Sequence, residues 1–142
     1  MNQTPYQLLG EAKIRELVAT FYQIMDQDPH AHELRQMHAE DLEPVTEKLA
    51  DYLIGWMGGP PIYAEKNGSV CMTTPHEPYV IGPRERDQWL YCMDRALEEV
   101  GAGDDVKQML KTPLYRVADA VRNSDFSAAD RLAEDPNLIA VR

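Results

Sequence analysis

Apolar residues in this chain recur three and four positions apart, and almost nowhere on alternate positions, which restricts the fold to packed helices. Ile14, Leu17, Val18, Phe21 and Met25 define a first amphipathic helix that should stop at Asp28-Pro29, because proline disfavours helical geometry in the residue before it. A second should run from about Pro44 through Val45, Leu49, Tyr52, Leu53 and Trp56 to Gly58-Gly59-Pro60. A third begins near Pro83, carries Trp89, Leu90, Met93, Ala96, Leu97 and Val100 on one side, and closes at Gly101 and Gly103. Asp104 can cap a further segment with Val106, Met109 and Leu110, which Pro113 should kink or restart before Leu114, Val117, Ala118 and Val121 continue the apolar face. The pattern fades after Asn123, and internal repeats are not visible. The expected architecture is all-α.

Between the second and third helices, residues 61–82 have no sustained period and include Pro61, Pro75 and Pro78, so a long loop is expected there. It contains His76. With 142 residues, 44% of them hydrophobic, one domain is the working count, with Ser124–Arg142 as a loosely attached appendage. No apolar run approaches the ~20 residues that span a bilayer, and Met1–Gly10 lacks the hydrophobic stretch of a signal peptide, so a cytoplasmic protein without membrane partners is expected. Cys71 and Cys92 have neither CxxC spacing nor the density of a disulfide framework, which makes free thiols the expectation. The formal net charge of −10, from 24 acidic and 14 basic residues, repels phosphate backbones and argues against nucleic acid. Of the four histidines, at 30, 32, 38 and 76, none stands out by spacing, and taken alone His76 would be an exposed loop residue.

An ordered set of short segments changes the weight of His76. Pro75-His76-Glu77-Pro78-Tyr79-Val80-Ile81-Gly82, followed by Glu85-Arg86-Asp87-Gln88-Trp89-Leu90 and Cys92-Met93, resembles the proximal region of the group II truncated haemoglobins. Upstream, Phe21-Tyr22 with Met25-Asp26, Met37-His38 with Asp41-Leu42, and Gly55-Trp56-Met57-Gly58-Gly59-Pro60 with Tyr63 match the family in order and spacing. The resemblance covers about residues 5–123. It implies the truncated globin fold, a two-over-two helical sandwich around haem b (iron protoporphyrin IX), with His76 as the proximal iron ligand. It further implies Tyr22, His38 and Trp89 on the distal side, where phenol, imidazole and indole can each present a hydrogen to a ligand, and Phe21, Val45, Leu49, Tyr52, Leu53, Tyr63 and Arg86 around the pocket. Val45 falls where vertebrate globins usually carry a distal histidine.

Two segments depart from the family pattern. Gly10-Glu11 keeps one glycine of the usual N-terminal pair, and Ser69-Val70-Cys71-Met72-Thr73-Thr74 replaces a more basic stretch, leaving Arg84 and Arg86 as candidate partners of the haem propionates. The implied activity is binding of O2 and other diatomic ligands by a monomer or homodimer. The alternative is haem-dependent redox chemistry on peroxide or nitric oxide, supplied with electrons by a separate reductase. Without the resemblance, the same helices describe a haem-free interaction domain, which an intense Soret band would exclude.

Overall fold

A computed structural model describes residues 3–69, 71 and 73–124. The expected appendage therefore lies, from residue 125 onward, outside the described residues. Four long helices dominate: α2 (Glu11–Gln27), α4 (Glu43–Trp56), α7 (Pro83–Glu99) and α8 (Asp104–Ala120). Between and before them lie the short helices α1 (Pro5–Leu9), α3 (His32–Gln36), α5 (Ile62–Asn67) and α6 (Thr73–His76), with a single 3-10 turn at Pro29–Ala31. No strand occurs among the described residues, as the apolar spacing requires.

The long helices start and stop for local reasons. Gly10 has φ +81°, a conformation open to glycine and strained for other residues, so this one glycine suffices for the junction between α1 and α2. At the other end of α2, the Asp28 carboxylate accepts the His30 N–H at 2.9 Å and opens the 3-10 turn. The α4 helix ends where the Gly59 N–H donates to the Ile54 carbonyl at 2.8 Å and Gly58 takes φ +106°. In α7, the Glu85 carboxylate accepts the Gly82 N–H at 2.8 Å, the returning half of a capping box. Of the kink or restart expected at Pro113, the restart does not occur, since α8 is one helix from Asp104 to Ala120. Proline there leaves the Met109 carbonyl without its helical donor, but Met109 lies on an exposed turn where water can take that donor's place.

The short helices escape a reading by periodicity because each is six residues or fewer. The α1 helix is set by a capping box in which the Gln7 N–H donates to Thr4 Oγ1 at 3.1 Å and the Thr4 N–H to Gln7 Oε1 at 2.8 Å. The expected loop of residues 61–82 contains α5, closed by Gly68 at φ +75°, and the turn of α6 that ends on His76.

The fold is a two-over-two sandwich: α2 pairs with α4, α7 pairs with α8, and the two layers meet mainly through α2 on α7. One core joins Ile14, Leu17, Val18, Phe21 and Met25 of α2 to Leu53 and Ile54 of α4, Cys92, Met93 and Leu97 of α7, and Val106, Leu110 and Leu114 of α8. Both cysteines are free thiols, Cys71 exposed and Cys92 buried. Among the described residues, no helix is long and apolar enough to cross a membrane. The buried carboxylate of Asp51 receives Arg15 of α2 at 3.1 Å and Lys66 of α5 at 2.9 Å, so one charge ties three helices together. Burial alone would raise the Asp51 pKa, but these two cations outweigh it and hold the carboxyl below its usual range.

Candidate functional site

The aromatic residues singled out from sequence converge at the α2–α7 contact. Phe21 is fully buried and meets Tyr22 edge-on at 4.9 Å between ring centroids and Trp89 at 5.3 Å. Tyr22 then meets His38 at 5.9 Å with the rings inclined at 68°. Phe21 thus stands between the phenol and the indole, and the imidazole lies on the far side of the phenol.

His38 is held just beyond α3. Its Nδ1 lies 2.8 Å from the Leu34 carbonyl oxygen, which can only accept, so Nδ1 carries the hydrogen. Burial lowers the His38 pKa; the nearby charges of Arg35 and His76 push the same way, and the bond to Leu34 opposes them. The ring is therefore neutral at pH 7 and its Nε2 offers a lone pair instead of a hydrogen. Leu34 is itself positioned from α7, where Gln88 Oε1 accepts the Leu34 N–H at 3.0 Å and Gln88 Nε2 donates to Glu33 Oε2 at 2.8 Å. Gln88 precedes Trp89, so one turn of α7 sets both the indole and the segment bearing His38.

Tyr22 is 5% exposed, and burial pushes its hydroxyl pKa up, so the phenol keeps its proton. Neither the Tyr22 hydroxyl nor the Trp89 indole N–H makes a hydrogen bond to any described residue. Neither atom is sealed from solvent, so each hydrogen can be offered to an incoming acceptor. On α4 a wall of apolar residues at helical spacing, Val45, Leu49, Tyr52 and Trp56, packs on the core and remains half-buried. Tyr63 of α5 extends this wall, its ring perpendicular to Tyr52 at 5.6 Å. Leu53 has no exposed surface and belongs to the core behind the wall.

His76 closes α6, half-buried, near enough to His38 for its charge to be felt there. Arg86 is engaged elsewhere: Nε lies 3.0 Å from Asp87, Nη1 3.0 Å from Asp119, and the guanidinium stacks over Tyr115. Arg84 faces Glu33 at 3.6 Å. Both arginines considered for propionates are thus paired with carboxylates. His30 bonds to Asp28, and His32 to Gln36, on the exposed outside of the turn.

A half-buried apolar wall on α4, two donors without protein acceptors and an imidazole at the end of a short helix are the side chains that suit a flat, largely apolar metal-bearing ring. The arrangement is that of a globin, and comparison with known proteins agrees. The family model described as bacterial-like globin matches residues 4–123. The group 2 truncated haemoglobin YjbI of Bacillus subtilis is 32% identical over 106 residues, 75% of this chain and 78% of that one. Among solved structures, the group II 2-on-2 haemoglobin of Agrobacterium tumefaciens superposes with a TM-score of 0.82 at 37% identity, covering 86% of this chain and 95% of its own. A truncated oxygen-avid haemoglobin from Bacillus subtilis gives a TM-score of 0.78 at 30% identity, covering 85% and 100%. The chain belongs to the bacterial-like globins and, within them, to the group II truncated haemoglobins. It is accordingly a haem protein of the gas-binding kind.

Proposed function

We propose that the chain binds O2 reversibly at a haem b held by His76, and that the Tyr22 hydroxyl and the Trp89 indole N–H retain the ligand. The observation that carries this reading is the pair of donors without protein acceptors, set either side of Phe21. When bound, the haem supplies an iron position at which a diatomic gas can attach.

The chain's residues do the rest. His76 offers an imidazole lone pair from the end of α6. Val45, Leu49 and Tyr52 keep water off the ring face. Val45 has no polar hydrogen, and His38 has already given its own to Leu34. The hydrogens that can meet a ligand gaining negative charge are therefore those of Tyr22 and Trp89. Hydrogen bonds to a charged acceptor contribute roughly 1.5–3 kcal/mol each. The oxygen-avid character named for the Bacillus subtilis relative accords with such a pocket.

Stopped-flow release of O2 and CO from Tyr22→Phe, Trp89→Phe and the double variant tests the reading. Each single change is expected to speed O2 release about tenfold or more, ~1.4 kcal/mol, with a non-additive double variant and a smaller effect on CO, which carries less charge. Equal O2 release from the parent and the double variant would mean that the two rings only pack.

A further inference from the structure

The segment that follows His76 has its backbone held by a residue 47 positions away in sequence. Pro75, Pro78 and Pro83 carry no N–H, which removes donors that a regular turn between α6 and α7 would use. Within the segment, the Tyr79 N–H returns to the His76 carbonyl at 3.0 Å. Longer-range bonds come from the end of α8. Asn123 Oδ1 accepts the Ile81 N–H at 2.9 Å, while Asn123 Nδ2 donates to the Tyr79 carbonyl at 2.7 Å and to the His76 carbonyl at 3.3 Å. The main-chain N–H groups of Asn123 and Ser124 both donate to the Ile81 carbonyl, at 2.9 and 3.0 Å. The end of α8 is itself fixed, because Asp119 receives Arg122 at 3.2 Å and Arg86 of α7 at 3.0 Å.

We propose that Asn123 is a positioning residue for His76, clamping the main chain on both sides of the α6–α7 turn so that the imidazole meets the haem iron at a set height and rotation. The proposal rests on the reading of His76 as the iron ligand. An amide is the side chain this clamp needs, since it accepts through oxygen and donates twice through nitrogen. A carboxylate of the same shape keeps the bond from Ile81 but turns an anion toward two carbonyl oxygens, and alanine loses all three side-chain bonds.

The test compares the parent with Asn123→Ala, Asn123→Asp and Leu110→Ala, the last a core truncation on the helix that precedes Asn123. In the ferrous, ligand-free haem protein, the iron–histidine stretching band measured by resonance Raman is expected to shift in both Asn123 variants and to stay in place in Leu110→Ala, although all three melt lower. Haem transfer to an apoglobin acceptor should quicken about tenfold in Asn123→Ala. Amide exchange at Ile81 should also quicken in Asn123→Ala, a readout independent of gas binding. A parental band and parental haem loss in both Asn123 variants, or unchanged exchange at Ile81, overturns the proposal. His76→Gly measured alongside separates the two claims: if the band survives there, the ligand assignment has failed, whereas its loss there with no shift in the Asn123 variants rejects the clamp alone.

Discussion

Replacing Phe21 by leucine should weaken the fold and loosen the ligand at once, because one ring supports both donors. Phe21 has no exposed surface and makes two edge contacts, at 4.9 Å to Tyr22 and 5.3 Å to Trp89. Aromatic pairs of this kind contribute ~0.5–1.5 kcal/mol each beyond area burial, and an aliphatic swap of similar size costs about 1 kcal/mol more, so Phe21→Leu should lose ~2–4 kcal/mol. At this chain length that corresponds to a melting temperature lower by about 10 °C. Denaturant unfolding must be done with both proteins at the same haem excess, since bound ligand stabilises the folded state by mass action. With their common spacer smaller, the phenol and indole lose their fixed separation. O2 release should then rise by several-fold, short of the Tyr22/Trp89 double variant, while CO release changes less. A Phe21→Leu protein with stability within about 0.5 kcal/mol of the parent and unaltered O2 release would refute the idea that the Phe21 contacts organise the site.

Two further outcomes follow from the same geometry. Hydrogen bonds from Tyr91, then from the His30 backbone and ring, hold the Asp28 carboxyl at about 2, below its ordinary 3.8. A depressed folded-state pKa gives stability that is present above the unfolded value and is lost as pH falls from about 4 to about 2, so Asp28→Asn should flatten the melting-temperature profile across that window, and a profile as steep as the parent's would contradict it. Gly59→Ala places a Cβ 2.5 Å from the Tyr6 ring and 2.8 Å from the Ile54 carbonyl oxygen, so it should cost ~1–3 kcal/mol and loosen α1, read as a lower melting temperature and faster proteolysis before Gly10; no change in either would count against the close approach.

The long helices were legible in the sequence because burial writes itself at helical spacing: α2, α4 and α7 end within a residue or two of the proline and glycine signals that predicted them. The short helices were not, since Thr4 and Gln7 or Pro61 and Gly68 set a turn by a few local bonds that leave no period. Pro113 signals a kink or a restart without deciding whether the helix continues, because its cost depends on whether the freed carbonyl reaches water, which sequence does not tell. For the site, the motif order pointed to Tyr22, His38, Trp89 and His76 as a group; Tyr22 and Trp89 meet through Phe21, and His38 joins them through Tyr22. What the residue types could not convey is hydrogen-bond direction. His38 counts as a donor by composition, yet Leu34 takes its hydrogen. Arg86 suits a propionate by charge, yet Asp119, 33 positions away, holds it. Gln88 and Asn123 carried no local signal at all, because each acts through partners more than 40 residues distant.

Whether His76 holds a haem iron is read by titrating the purified chain with haem and recording the Soret band for the parent and for His76→Gly, with and without added imidazole. The expected result is a stoichiometric, intense Soret band in the parent, weak or altered coordination in His76→Gly, and recovery of the histidine-ligated spectrum when imidazole is supplied. A parent that takes up no haem, or a His76→Gly protein whose iron coordination matches the parent without imidazole, would contradict it.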